Sequence, residues 1–291
     1  MPINKEASLI LYSLEKALVG AGIISAKSDA RCLLGLALGR DLPVLPHESI
    51  VPISMVSQDR LAAFTKRRIA GEPISRIRGW REFWSLRFAV TPATLDPRPD
   101  SETVIESAIK WVLDRSARNE ALRCLDLGTG SGCLLLSLLS ELPKATGIGV
   151  DLCPNAVATA KVNAANLGLG HRTNFFKHSF TDNLGYFGDF DIILANPPYI
   201  PTKDIADLAI DVRGFEPRLA LDGGHDGMNC WHGLLPRLAG SLKAEGVAFV
   251  EIGKGQEAAV VSYADHENLR LIDSYCDLAG VKRCLQFGIK M

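Results

Sequence analysis

The apolar run Phe190-Asp191-Ile192-Ile193-Leu194-Ala195, closed by Asn196-Pro197-Pro198-Tyr199, constrains this chain more than any other stretch. The run reads as a buried strand. Two prolines cannot continue a ladder, so the strand stops there and the chain leaves the sheet in a stiff, extended form. One amide, Asn196, and one aromatic ring, Tyr199, therefore stand at the carboxyl end of a strand. In open α/β sheets that end is where ligands bind.

Further strands are predicted at Arg123–Leu127, Thr146–Asp151, Thr173–Lys177, Gly246–Ile252, Leu269–Cys276 and Arg283–Ile289. Helical patterns fall between the first five strands. Such alternation predicts a doubly wound, mostly parallel seven-stranded sheet, with the last two strands as an antiparallel edge. Upstream, Leu11, Leu14 and Leu18 share one face of a first helix that ends at Gly20 and Gly22. A second helix is predicted from Ser28 as N-cap to Gly39, and a third from near Ser57 with Leu61, Phe64 and Ile69. Between helices and sheet, Trp80, Phe83, Trp84, Leu86, Phe88 and Val90 predict a β-hairpin. The expected organisation is a helical bundle over 1–75, a hairpin linker over 76–97 and an α/β domain over 98–291.

Composition narrows the class. A formal net charge of −1 gives no global field to recruit nucleic acid. No apolar run approaches the ~20 residues that span a bilayer. Met1-Pro2-Ile3-Asn4-Lys5-Glu6 lacks the charged-then-apolar order of a signal peptide. Seven cysteines, an odd number with no Cys-x-x-Cys pair, argue against a disulfide framework and for a reducing cytosol. The six histidines show no metal-ligand spacing, so no metal site is expected.

A second ligand-bearing feature follows the strand at Arg123. Gly128-Thr129-Gly130-Ser131-Gly132 opens a helical run and lets the backbone pass close to a ligand. Its spacing is neither that of a dinucleotide turn nor that of a phosphate loop. Asp151 ends the next strand, 19 positions after Gly132. An acid there can accept hydrogen bonds from both ribose hydroxyls of a nucleotide-like ligand, or cap the helix that starts near Pro154; the two roles are compatible.

On these residues the chain resembles the glutamine methyltransferases that modify peptide chain release factors (PrmC/HemK). The likeness spans nearly the whole sequence. It is carried by Gly71-Glu72-Pro73-Ile74, Arg81-Glu82-Phe83-Trp84, Arg98-Pro99-Asp100-Ser101-Glu102, the glycine turn, Asp151, the Asn196–Tyr199 corner, Phe215-Glu216-Pro217, Leu221–Gly227 and Glu251-Ile252-Gly253. The resemblance implies a Rossmann-like class I methyltransferase domain that uses S-adenosylmethionine and releases S-adenosylhomocysteine. It implies a protein substrate, the glutamine of the Gly-Gly-Gln loop of class I release factors, with no nucleic-acid substrate and no membrane. The sister enzymes that methylate a ribosomal protein glutamine share the corner, as do nucleic-acid adenine methyltransferases. The segment around Arg98 favours the release-factor branch.

The implied residue roles follow. An amide nitrogen is a poor nucleophile because its lone pair is delocalised, so catalysis must hold the NH2 group in one pose. Asn196 through its side-chain carbonyl and Pro197 through its main-chain carbonyl would each accept one N–H. Pro198 would stiffen the corner and Tyr199 would pack on the planar group. Gly128, Thr129, Gly130, Ser131, Gly132, Asp151, Phe180 and Asn196 would hold the cofactor. Ser179 stands where relatives often carry an acid for the adenine amino group. Arg98, Asp100 and Glu102 either shape the pocket mouth or cap a helix. The basic stretch Arg60–Arg87 reads equally as a docking face or a solvated one.

Overall fold

The computed structural model describes residues 5–45 and 53–290. Residues 1–4 and 46–52, which fall in the expected helical domain, and Met291 lie outside the described residues. Contacts divide the chain into two units. One comprises Met1–Gly79 with Ala209–Phe215, the other Trp80–Leu208 with Glu216–Met291.

The first unit holds α1 (Lys5–Gly20), α2 (Ala26–Ala37), α3 (Met55–Ile69) and the short α4 (Ile74–Arg78). Leu18, Leu33 and Leu34 are fully buried at its centre. Helix α2 starts earlier than Ser28: its N-cap is Ser25, and Ser28 instead donates its hydroxyl to the Ser25 carbonyl within the first turn. Ser54 caps α3, accepting the Ser57 N–H at 3.2 Å. Arg68 pairs with Asp29 at 2.7 Å, joining α3 to α2, and Arg67 pairs with Glu72 at 2.6 Å.

The second unit begins with the hairpin β1 (Trp80–Phe83) and β2 (Leu86–Ala89). Trp84 and Ser85, the two turn residues, both have left-handed backbone (φ 52° and 56°), which suits a tight hairpin although neither is glycine. Glu102 accepts the Trp84 N–H at 2.8 Å, and the Trp84 indole donates to Glu141 at 3.1 Å. Arg81 lies 3.9 Å from Asp96, and Arg87 stacks on the Trp80 ring. Four arginines of the basic stretch thus have partners within their own unit.

There follow α5 (Glu102–Asp114), β3 (Arg123–Leu127), α6 (Cys133–Glu141), β4 (Thr146–Asp151), α7 (Pro154–Asn166), β5 (Thr173–Lys177) and β6 (Phe190–Ala195). The chain then passes through α8 (Ile210–Arg213), which groups with the first unit, to α9 (Asn229–Ser241), β7 (Leu242–Glu251), α10 (Glu257–His266), β8 (Leu269–Cys276) and β9 (Lys282–Ile289). The sheet order is β5-β4-β3-β6-β7-β9-β8. The first five strands are parallel; β9 runs antiparallel to both β7 and β8. This is the mostly parallel seven-stranded sheet with an antiparallel edge that the pattern predicts. Strand β7 begins four residues before Gly246, because Leu242 still pairs with Phe190 across a register shift. The charged residues Lys243 and Glu245 hide that start from an apolar-run reading. Apolar clusters cover both faces, one around Ile105, Leu135 and Leu139, the other around Trp231, Leu234 and Leu238.

All seven cysteines are free, and among the described residues no helix is long and apolar enough to cross a membrane.

Candidate active site

Register builds the site. Val150, Leu127, Ala195 and Val250 pair across four adjacent strands, β4, β3, β6 and β7. One residue further along each strand stand Asp151, Gly128, Asn196 and Glu251. The strand order reverses at β3, so this row lies at the topological switch point, on the carboxyl side. A cavity of about 440 Å³ opens over the row, lined among others by Gly128, Asp151, Phe180, Asn196 and Pro198.

The glycine turn is anchored from three sides. The N–H groups of Gly128 and Thr129 both donate to the Val150 carbonyl at 2.9 Å. Gly130 donates its N–H to Oδ2 of Asp151 at 2.8 Å, and Oδ1 of the same carboxylate accepts the Cys153 N–H at 2.8 Å, just before α7. Asp151 therefore organises the turn and the start of α7 together. Burial raises its pKa, against the pull of those two N–H groups. Thr129 is buried, its hydroxyl donating to Asp126 at 2.6 Å. Gly132 starts α6 at φ +80°, where a Cβ would lie 3.1 Å from Leu136 and 3.3 Å from Ala160. Ser131 completes the lining. Asn163 of α7, fully buried, donates to the carbonyls of Ser131 (2.9 Å) and Ala89 (3.1 Å) and accepts the Ala89 N–H (2.7 Å).

At the proline corner, Asn196 donates its side-chain N–H to the Ser101 hydroxyl at 3.3 Å. Neither its Oδ1 nor the Pro197 carbonyl accepts a hydrogen bond from the described residues. Pro197 is buried and, like Tyr199, is not among the lining residues. The Tyr199 hydroxyl instead donates to Oε1 of Glu251 at 3.3 Å. Burial pushes the Tyr199 phenol well up and raises Glu251 to about 7, the latter opposed by Ser101, Arg283 and Tyr199. Burial likewise raises Asp126 to about 7, opposed by the hydrogen bond from Thr129.

Beyond the corner, Ile200 and Asp222 form a parallel bridge. The Ile200 N–H donates to the Leu221 carbonyl at 3.0 Å and the Gly223 N–H to the Ile200 carbonyl at 2.8 Å. The Gln256 side chain bonds the carbonyls of Tyr199 and Gly227 at 3.2 and 3.1 Å. Arg98, which also lines the cavity, donates to the buried carboxylate of Glu216 at 2.7 Å, and Glu216 also accepts the Asp96 N–H at 3.0 Å. Of the triplet read from sequence, Arg98 lines the cavity, Asp100 pairs with Arg283 at 3.3 Å, and Glu102 holds the hairpin turn.

Phe180 lines the cavity and packs on the apolar cluster around Trp231. A Cβ on Gly128 would meet only this ring, at 3.9 Å. Ser179 also lines the cavity, its hydroxyl 2.7 Å from that of Thr181. Neither Asn163 nor Glu251 is among the site residues expected from the sequence. The first has no sequence signal. The second has one: an acid closing the apolar run Val247–Val250 at the ligand end of a strand.

Residues 101–211 match the family model described as the methyltransferase small domain, and residues 10–79 the one described as the PrmC N-terminal domain. The release factor glutamine methyltransferase of Bradyrhizobium diazoefficiens is 42% identical over 275 residues, 94% of this chain and 91% of that protein. The enzyme of the same name from Rhodospirillum rubrum is 40% identical, covering 91% of this chain and 79% of its own length. That of Agrobacterium fabrum is 36% identical, covering 95% of each.

Proposed function

The chain belongs to the release factor glutamine methyltransferase family, and from that membership we propose that it methylates N5 of the glutamine in the Gly-Gly-Gln loop of a class I release factor, with S-adenosylmethionine as donor. The observation that carries this reading is Asn196, at the cavity edge in the same row as the glycine turn and Asp151, with its carbonyl oxygen unclaimed.

The residues present fit the donor. Gly128 and Gly130 hold left-handed backbone (φ 75° and 55°) at the cavity wall, leaving space that side chains would fill. Asp151 keeps lone pairs beyond its two backbone bonds for ribose hydroxyls, and Phe180 offers a face for the adenine ring. When bound, S-adenosylmethionine supplies an electrophilic methyl on sulfur. The protein holds the glutamine NH2 group with its lone pair facing that methyl. In our reading Asn196 Oδ1 accepts one N–H and the Pro197 carbonyl the other, Pro198 keeps the two acceptors rigid, and Tyr199 braces the corner from behind. Positioning of this kind contributes on the order of 7–11 kcal/mol at most. The glutamine proton leaves after transfer, so no strong base is needed. Free thiols throughout suit a cytosolic setting.

Purified protein with methyl-labelled donor is expected to label a class I release factor at that glutamine. Label on a ribosomal protein or on DNA, with the release factor inert, rejects the assignment. Asn196→Ala is expected to abolish turnover while cofactor affinity falls far less.

A further inference from the structure

The sheet order gives the cavity a direction. Asn196 follows β6, the glycine turn follows β3, Asp151 ends β4, and the next step outward is the end of β5. There Asp151 pairs with Lys177, and its carbonyl accepts the His178 N–H at 3.0 Å. With the reacting methyl at Asn196 and the ribose at Asp151, the base of the donor falls over Ser179, Phe180 and Thr181, all of which line the cavity. Among the described residues the acids lining that cavity are Asp151 and Asp222, the second held beyond the proline corner by Thr202, Arg218 and the Gly224 N–H. Asp182 is not a lining residue and faces His178 at 3.7 Å. The end of β5 offers two hydroxyls instead. Those of Ser179 and Thr181 stand 2.7 Å apart, and the Thr181 N–H donates to Ser179 Oγ at 3.1 Å. Both are held in place. The Thr181 carbonyl accepts from Arg237 at 3.0 Å, and its methyl packs so closely on α9 that a Cβ at Gly233 would lie 2.5 Å away.

A hydroxyl carries one proton and two lone pairs, and it rotates to suit its partners. One Ser179 lone pair is taken by the Thr181 N–H, and the bond between the two hydroxyls runs in either direction. When Ser179 donates, it keeps one free lone pair and Thr181 keeps a free proton. The pair then shows an acceptor beside a donor, which matches the amino group and N1 of adenine. When Thr181 donates, both Ser179 lone pairs are filled and its proton is free, while Thr181 keeps a lone pair. The pair then shows a donor beside an acceptor, which matches the 6-oxo group and N1–H of hypoxanthine. Two O–H rotations interconvert the states, and no heavy atom moves. We propose that Ser179 and Thr181 are specificity-determining residues of the base subsite, and that this reversible pair admits 6-oxopurine as well as 6-aminopurine methyl donors. Their role rests on the reading of S-adenosylmethionine as donor. A carboxylate only accepts, so one in the place of Ser179 would exclude the 6-oxo base.

The test is calorimetric titration of the full chain at neutral pH with two probes, S-adenosylhomocysteine and S-inosylhomocysteine, which differ in the 6-amino and 6-oxo groups. The wild type is expected to bind both, with affinities within about 10-fold of each other. Thr181→Val keeps the packing on α9 and the N–H to Ser179 but loses one hydroxyl, so both affinities are expected to fall by a similar factor, about 2- to 10-fold. Ser179→Asp is expected to retain S-adenosylhomocysteine and to weaken S-inosylhomocysteine by a further 10- to 100-fold or so, about what a buried acceptor facing an acceptor costs. Thermal melts show that each variant is folded. A wild-type preference for S-adenosylhomocysteine above about 10-fold overturns the proposal. So do a folded Thr181→Val that binds both probes like the wild type and a folded Ser179→Asp that discriminates no better. Failure of the wild type to bind either probe overturns the donor reading itself. Binding of both as described, in a protein inert toward release factors, upholds the base subsite and overturns only the substrate assignment.

Discussion

Asn163 donates to the main-chain carbonyl of Ser131 at 2.9 Å while its other two bonds close on Ala89. One buried amide thus ties the glycine turn to hairpin strand β2. Asn163→Leu keeps the volume but leaves the Ala89 N–H, the Ala89 carbonyl and the Ser131 carbonyl without their partner. Each group so orphaned costs about 1–3 kcal/mol. The expected result is a melting temperature lowered by several degrees, together with a raised KM for the methyl donor. A variant that melts like the wild type would show that the amide is dispensable.

Asp151 gives a sharper test of the turn. Its two carboxylate oxygens accept one N–H each, from Gly130 and Cys153. Asp151→Asn has a single acceptor oxygen, so its NH2 must face one of those donors. Losing a charge-assisted bond costs about 1.5–3 kcal/mol, roughly 10- to 100-fold in affinity. Calorimetric titration with S-adenosylhomocysteine is expected to show that weakening. Unchanged affinity would assign Asp151 to the start of α7 alone.

Legibility in the sequence follows locality. Strands β3 to β6 and β8 stand at their expected residues because each carries local apolar or β-branched residues bounded by nearby glycine, proline or charged residues. The glycine turn, Asp151 and Asn196 were readable because each sits at a strand end beside its own breaker. Asn163 and the Ser101–Asn196 pair were not. Asn163 reaches Ala89 across 74 residues, and Ser101 and Asn196 are 95 residues apart in the chain. Only the register that levels Ala195 with Val250 brings Glu251 beside Asn196. The early start of β7 was hidden for a related reason, since pairing with Phe190 rather than its own composition makes it a strand.

Asp126 sets a pH dependence whose sign can be worked out. Burial raises its pKa to about 7 in the folded protein, against about 3.9 in an unfolded chain. Between those values the folded state keeps a proton that the unfolded state has lost. Stability from this group is complete below about pH 4 and lost as pH rises through about 7, at about 1.4 kcal/mol per unit. Asp126→Asn keeps an acceptor for Thr129 and removes the titration. The stability difference between variant and wild type is expected to shift in the variant's favour by roughly 3 kcal/mol from pH 5 to pH 8. Urea unfolding at the two pH values measures it, and a constant difference would place the titration elsewhere.

Gly227 tests how the proline corner is held from outside. Its backbone is left-handed at φ +81°, and a Cβ there would lie within 2.4 Å of the Tyr199 carbonyl oxygen. Gln256 bridges the same two residues through their carbonyls. Gly227→Ala therefore adds backbone strain of about 1–3 kcal/mol and must push the Asn196–Tyr199 segment or the Leu221–Gly227 loop aside. Because Asn196 works by position, displacement of its neighbours by about 1 Å is expected to cost about 100-fold in kcat. Cofactor affinity should change little, since the glycine turn lies on the neighbouring strand β3. A loss confined to stability, with kcat preserved in the folded fraction, would mean that the loop moves and the corner does not.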